Sequence, residues 1–325
     1  MLEFILRRLF QSVLALWAMS LLVFAGVYVV GDPIALMVPD SATPEMRTRI
    51  IASLGLDQPW WLQYWRFLTH SLHGDFGTSF LTGAPVAQMI VTRMPATLEL
   101  SVIAMLMAIV IGIPLGMYAG LRPEKLSSRL ITASSTIGFS LPTFWVGLIL
   151  ILVCSVLLGW LPSGGRGTTT SWLGMQVSFL TLDGWKHLLL PALNLALFNI
   201  ALIIRLAYSS TRETALTDYV KFARAKGLSA SRIVGVHILK NIMIPLVTVI
   251  GINLGGLIAF SIVTETVFAW PGMGKLLIDS INALDRPVVI AYLLTVGAIY
   301  MLINLVVDVL YSLLDPRISV TTEVN

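Results

Sequence analysis

The chain has 325 residues, of which 57% are hydrophobic and only 12% charged, and its net charge is +4. Soluble domains run at about 45–50% apolar and about 25% charged. With a mean hydropathy of +0.87, too little polar surface remains to keep such a chain in water. A soluble enzyme and a disordered chain are excluded, and a polytopic membrane protein is left. The single cysteine, Cys154, and four scattered histidines give no disulfide framework and no structural zinc pattern. The small positive charge does not call for nucleic acid, because its placement along the chain explains it.

A membrane helix needs about 20 mainly apolar residues. Six runs qualify: 9–30, 98–119, 131–158, 187–208, 242–267 and 288–314. The first follows Arg7 and Arg8 but exceeds the roughly 7–15 residues of a signal-peptide core, so it reads as an uncleaved anchor. With the N-terminus inside, segments 1–8, 120–130, 209–241 and 315–325 together with Arg205 hold 13 Lys/Arg. The longer outside segments 31–97, 159–186 and 268–287 hold 8. This asymmetry places both termini in the cytoplasm. Backbone in lipid must satisfy its own hydrogen bonds, so the fold class is an all-α bundle of six transmembrane helices. No polar linker divides it, and 1–325 reads as a single membrane domain without an evident internal repeat.

After the first span, Gly31-Asp32-Pro33 stops the helix. Thr43-Pro44-Glu45 reads as a helix start with Thr43 as cap, and Gly55 as its end. Trp60, Trp61, Tyr64, Trp65 and Leu68 recur at helical spacing. They fit an amphipathic helix at headgroup level or a docking platform for an external partner. His70 and His73 lack a third ligand, and His73-Gly74-Asp75-Phe76-Gly77 reads as a turn; no metal site is expected.

Further along, Gly112, Pro114, Gly116 and Pro142 mark kinks or close helix contacts. The ionisable residues in or near the spans are Glu99, Arg205, Glu265 and Asp308. Burial in lipid is costly for each, so they should face the bundle interior, a partner or the interface. Arg205 and Asp308 both lie near the inner ends of their spans, and a pair between them is the plain expectation, with interfacial snorkelling next. Asn304 shares a face with Asp308. Glu265 precedes Trp270-Pro271-Gly272-Met273-Gly274, a sharp outer turn followed by an amphipathic stretch at 276–284. That segment is either a simple re-entrant turn or an external gate beside a translocation path.

The basic loop 209–241 is the most informative segment. Ala223 and Gly227 are small residues four apart on one helix face, where a partner surface could approach closely. Gly227 can also end that helix and Ser229 start a second one running to Lys240. The spacing alone is a weak signal, and a solvated loop obeying the charge rule is the alternative reading.

The residues of 219–245 (Tyr219-Val220-Lys221-Phe222-Ala223-Arg224-Ala225-Lys226-Gly227-Leu228-Ser229, then His237 to Asn241 and Ile244-Pro245) resemble the "EAA" loop of bacterial ABC import permeases. The variant is that of dipeptide, oligopeptide and nickel permeases. The resemblance runs along most of the chain. It includes residues 1–8, Gly31-Asp32-Pro33, Leu54-Gly55-Leu56-Asp57-Gln58-Pro59, the turn at 73–77 and Pro95-Ala96-Thr97-Leu98-Glu99-Leu100. It continues in Thr264 to Gly274, Asn304-Leu305-Val306-Val307-Asp308 and Asp315-Pro316-Arg317. Lys221 stands where sugar permeases carry the glutamate that names the loop, so that carboxylate contact is not carried over.

The resemblance implies a type I importer permease for dipeptides or oligopeptides, in the bacterial inner membrane, that is not itself an enzyme. It implies a coupling helix with Tyr219, Ala223, Arg224, Lys226, Gly227 and Arg232 seated on a cytoplasmic ATPase. It also implies a second homologous permease forming a heterodimer, two ATPase subunits carrying ATP and Mg, and an external substrate-binding protein. The external gate would comprise Glu265, Trp270, Pro271, Gly272 and Gly274. Consistent with borrowed energy, Gly-x-x-x-x-Gly-Lys-Ser/Thr is lacking: at Gly274-Lys275, Leu276 follows and Ala269 replaces the first glycine. A nickel or metal-chelate importer is the same-class alternative, and a gradient-driven secondary transporter or a membrane scaffold are the rivals. Sparse intramembrane charge and the long basic loop speak against a secondary transporter. The breaker residues in several spans and the gate-like turn speak against a scaffold.

Overall fold

The computed structural model describes residues 2–29, 43–45, 48, 52 and 57–314. Gly31-Asp32-Pro33, Leu54-Gly55-Leu56 and Asp315-Pro316-Arg317 lie outside the described residues. Of the expected helix start, Thr43 is non-helical and Pro44 and Glu45 are helical, while Gly55 falls outside.

The helices are α1 (Leu2–Val29), α2 (Trp60–Leu72), α3 (Val86–Leu121), α4 (Leu126–Ser140), α5 (Thr143–Leu157), α6 (Leu182–Ala215), α7 (Asp218–Ala225), α8 (Ala230–Phe260), α9 (Ile262–Val267), α10 (Met273–Asn282) and α11 (Arg286–Leu314). A two-stranded hairpin, β1 (Thr170–Trp172) with β2 (Met175–Val177), closes the loop before α6. The positive-φ pair Leu173 and Gly174 forms its turn, and this short hairpin is not among the elements expected from sequence.

Among the described residues five helices are long and apolar enough to cross a membrane: α1, α3, α6, α8 and α11. The third span expected from sequence is not a straight helix. Ser140-Leu141-Pro142 breaks it, and α4 and α5 meet at 107°. Proline cannot donate its amide and disfavours helix at the residue before it, so the apolar run bends where a hydropathy count sees continuity. The fifth run also divides, at Ser261, into α8 and α9. The stretch assigned to a loop at 86–97 is already helical, since α3 begins at Val86.

The core sits between α3 and α6, the most extensive helix pair. Ala96, Ala104 and Ala108 on α3 and Ala192, Ala196 and Ala207 on α6 are buried there. Gly112, Gly116 and Gly120 make a small-residue stripe. A Cβ at Gly116 would lie 2.6 Å from the Cβ of Ala207 and from the Ile204 carbonyl oxygen. Close backbone approach is how membrane helices gain packing where lipid removes the hydrophobic drive. α3 nonetheless runs unbroken through Pro95 and Pro114, so the glycines serve contact rather than a break. Conversely, α1 lies at the periphery with Phe10, Val13, Leu14, Trp17 and Leu22 exposed.

The Trp-rich stretch is α2. Its buried Tyr64 shares a hydrogen bond with Ser20 of α1 at 2.8 Å and meets Phe24 edge to face. Trp60, Trp61 and Trp65 remain exposed, which suits an interfacial amphipathic helix and a docking platform alike. The following turn is fixed by Asp75, which accepts from the Gly77 amide at 3.0 Å and pairs with His70 Nδ1 at 3.1 Å. The Gly77 amide first, and His70 second, hold the Asp75 carboxyl below the usual carboxylate range. Among the described residues no three His, Cys, Asp or Glu gather as for a metal ion.

Candidate functional site

Two loop systems at opposite ends of the bundle hold the residues singled out from sequence. The first is the turn between α8 and α10. Glu265 of α9 is fully buried. Its Oε1 accepts from Thr97 Oγ1 at 2.7 Å and Ser261 Oγ at 2.8 Å, and its Oε2 accepts from the Lys275 amide at 2.9 Å. Thr97 Oγ1 in turn accepts from the Met273 amide at 2.8 Å. The carboxylate and the threonine thus cap the N-terminus of α10, whose own cap position, Gly272, has no side chain to do so. Gly272 is extended, at φ −93°, so it is not needed for an unusual backbone angle. A Cβ there would run into the Glu265 carboxylate, and one on Gly274 would meet Ile262 Cα at 2.7 Å. Close approach to Glu265 fixes Gly272, and close approach to the Ile262 backbone fixes Gly274.

Trp270 is fully buried and its Nε1 donates to the Ala96 carbonyl at 2.9 Å. Pro271 offers its carbonyl to Arg93 Nη1 at 3.4 Å. A second buried carboxylate, Glu99, lies one residue beyond Leu98. Its Oε2 accepts from Arg166 Nη2 at 2.6 Å, and its Oε1 accepts from the Ser178 amide and hydroxyl and the Phe179 amide at 2.6–2.8 Å. The Arg166 guanidinium also sits 5.7 Å from the Trp270 ring centroid. One turn of α3, Ala96 to Glu99, therefore anchors both the 261–275 turn and the hairpin loop. Glu265, Trp270, Gly272 and Gly274 come together as the sequence indicated. Glu99, one of the four ionisable residues expected to turn inward, is buried as that expectation has it; Thr97 appears in the sequence only as part of a motif, and Arg166 and Ser178 carry no spacing signal.

At the other end, α7 carries the basic loop. It ends in a Schellman arrangement: the Gly227 amide donates to the Arg224 carbonyl at 2.9 Å, the Leu228 amide to the Ala223 carbonyl at 3.3 Å, and Gly227 has φ +74°. The expected helix end is correct. The expected shared face is not. Ala223 is buried with Val220 against α6 and α8, while Gly227 lies beyond the helix end with open space around its Cα. The outward face of α7 is instead Tyr219, Phe222 and Arg224, with Phe222 61% exposed and Lys226 Nζ 4.6 Å from its ring centroid. Arg232 is exposed on the first turn of α8. That turn is continuous with the span up to Phe260, so the separate second short helix expected to Lys240 is absent.

The intramembrane pair was also misassigned. Asp308 pairs with Arg8 of α1 at 3.2 Å, and Arg205 is exposed with its guanidinium 5.5 Å from the Phe139 ring centroid. The N-terminal arginines had been counted only for sidedness, yet α1 packs on α11 and brings Arg8 within reach of Asp308. Asn304 and Asp308 do share a face, and both line a cavity of about 440 Å³ with Arg8.

Comparison with known proteins bears on the chain's family. Residues 112–320 match the family described as binding-protein-dependent transport system inner membrane component, and residues 1–101 match its N-terminal membrane component. The chain is 39% identical to the dipeptide transport system permease protein DppB of Escherichia coli K12, covering 98% of this chain and 99% of that one. It is 37% identical to the oligopeptide transport system permease protein AppB of Bacillus subtilis 168, covering 98% and 100%. Among solved structures, a chain of the MetNI methionine ABC transporter in an inward-facing conformation aligns at TM-score 0.55 and 19% identity. The alignment covers 70% of this chain and 97% of that one; at that identity the likeness is one of fold.

Proposed function

The chain belongs to the family of binding-protein-dependent transport system inner membrane components, and from that premise we propose that it is the permease subunit of an ATP-driven importer of di- or oligopeptides. The observation that carries this reading is its end-to-end likeness to relatives named as dipeptide and oligopeptide permeases. It transports rather than catalyses. ATP and Mg²⁺ are handled by two separate ATPase subunits, a second homologous permease completes the pathway as a heterodimer, and an external binding protein delivers the cargo.

In this reading both termini and α7 face the cytoplasm. The exposed side of α7, with Tyr219, Phe222, Arg224 and Lys226, and Arg232 beside it, seats in the ATPase. Val220 and Ala223, packed against α6 and α8, make α7 rigid with the bundle, so ATPase movement is passed on rather than absorbed. At the outer end, Glu265, Trp270, Pro271, Gly272 and Gly274 form a gate segment whose shape is fixed by α3. A leucine auxotroph dependent on this transporter for leucyl-alanine tests the proposal. Growth should require this chain; undiminished growth after its deletion would contradict it.

A further inference from the structure

Between α6, α8 and α11 lies a cavity of about 950 Å³, in the upper part of the roughly 300–1,000 Å³ range of ligand sites. Its wall is apolar, interrupted by Asn199, Asn253, Thr143, Tyr292 and Tyr300, and no Asp, Glu, Lys, Arg or His lines it. Asn199 stands near the middle of α6, is 3% exposed, and its Oδ1 has no hydrogen-bond partner within the chain. Buried polar atoms are almost always partnered, so an exception asks for a reason. Asn253 spends its Nδ2 on the Val249 carbonyl at 2.8 Å, which leaves Oδ1 as its remaining acceptor. Polar groups facing an open cleft in a membrane bundle mark a passage for solute.

We propose that a peptide in transit occupies this cavity, with the carboxamide oxygens of Asn199 and Asn253 accepting hydrogen bonds from its backbone N–H groups. The inference rests on the peptide-importer reading. Peptides of differing sequence share only their backbone. Carboxamide acceptors read that shared part, and a wide apolar wall accepts side chains of any shape. A lining without charge holds neither terminus, which suits a site that must also release its cargo.

The test uses the complete transporter in proteoliposomes with its binding protein. The probes are tri-alanine and its two single-ester analogues, in which one backbone N–H becomes O. The wild type should take up tri-alanine about 5–20-fold more efficiently than the worse ester, and in Asn199→Ala or Asn253→Ala that ratio should fall toward whatever the binding protein alone imposes. Discrimination by the binding protein is common to all and cancels in the comparison. In parallel, a benzophenone side chain installed at Ile252, on the same wall, should capture labelled tri-alanine during turnover. Unchanged ester ratios in both variants, or no capture at Ile252, with normal wild-type uptake of tri-alanine, overturn the cavity assignment alone. Failure of the wild type to take up tri-alanine overturns the peptide reading and this inference together.

Discussion

Any side chain at Gly272 would overlap the carboxylate of Glu265. The two residues are seven apart in sequence, on either side of a buried tryptophan, and each explains the other. Glu265 reaches the N-terminus of α10 because position 272 is empty. Gly272→Ala should therefore cost about 1–3 kcal/mol as overpacking. Glu265→Ala should cost a similar amount by leaving the Thr97 hydroxyl and the Lys275 amide unpaired. The double variant should lose clearly less than the sum, since removing the carboxylate makes room for the methyl group. Thermal unfolding of the purified protein in detergent reads all three, and strict additivity would show that the contact is not what fixes the glycine.

The Glu99–Arg166 pair gives a second expectation. Both side chains are at least nine-tenths buried. Arg166→Met leaves a buried carboxylate short of its cation and should cost about 3–5 kcal/mol. Glu99→Gln combined with Arg166→Met should recover most of this. The amide oxygen can still accept from Ser178 and Phe179, and no uncompensated charge remains. The same unfolding assay checks it.

On α7 the structure separates stability from docking. Gly227→Ala forces a side chain into the left-handed region and should cost about 1–2 kcal/mol, whereas Gly227→Asn should be milder. Ala223→Leu would disrupt packing inside the chain and so cannot report on docking. Phe222→Ala can: Phe222 is exposed, so stability should stay within about 0.5 kcal/mol while ATPase co-purification drops at least several-fold. Undiminished co-purification would remove α7 from the ATPase interface.

How much of this was legible in the sequence varied with the physics involved. Apolar runs located the long helices, because length and hydropathy alone decide them. The bend at Pro142 and the break at Ser261 lay inside such runs, where composition stays apolar and only local backbone chemistry changes. The Schellman end at Gly227 could be read, because one residue sets it. The burial of Ala223 could not, because it depends on how α6 and α8 return past it. The Arg8–Asp308 pair spans the whole chain, and Arg166 finds Glu99 across 67 positions; neither leaves a local pattern.

Sidedness is open to a chemical test. With Cys154 replaced by alanine, single cysteines at Ser163 and Ser231, both exposed, should respond oppositely to an impermeant thiol reagent added outside intact cells. Ser163→Cys should label and Ser231→Cys should not. Labelling at Ser231→Cys would invert the orientation and withdraw α7 from the cytoplasm.

The most direct measurement is uptake of labelled di- and tripeptides into proteoliposomes holding the complete transporter, with and without this chain. Peptide should accumulate only when this chain, the ATPases, ATP and the binding protein are all present, and vanadate should stop it. Accumulation driven by a proton or sodium gradient without ATP, or uptake of nickel chelates but not peptides, would contradict the account.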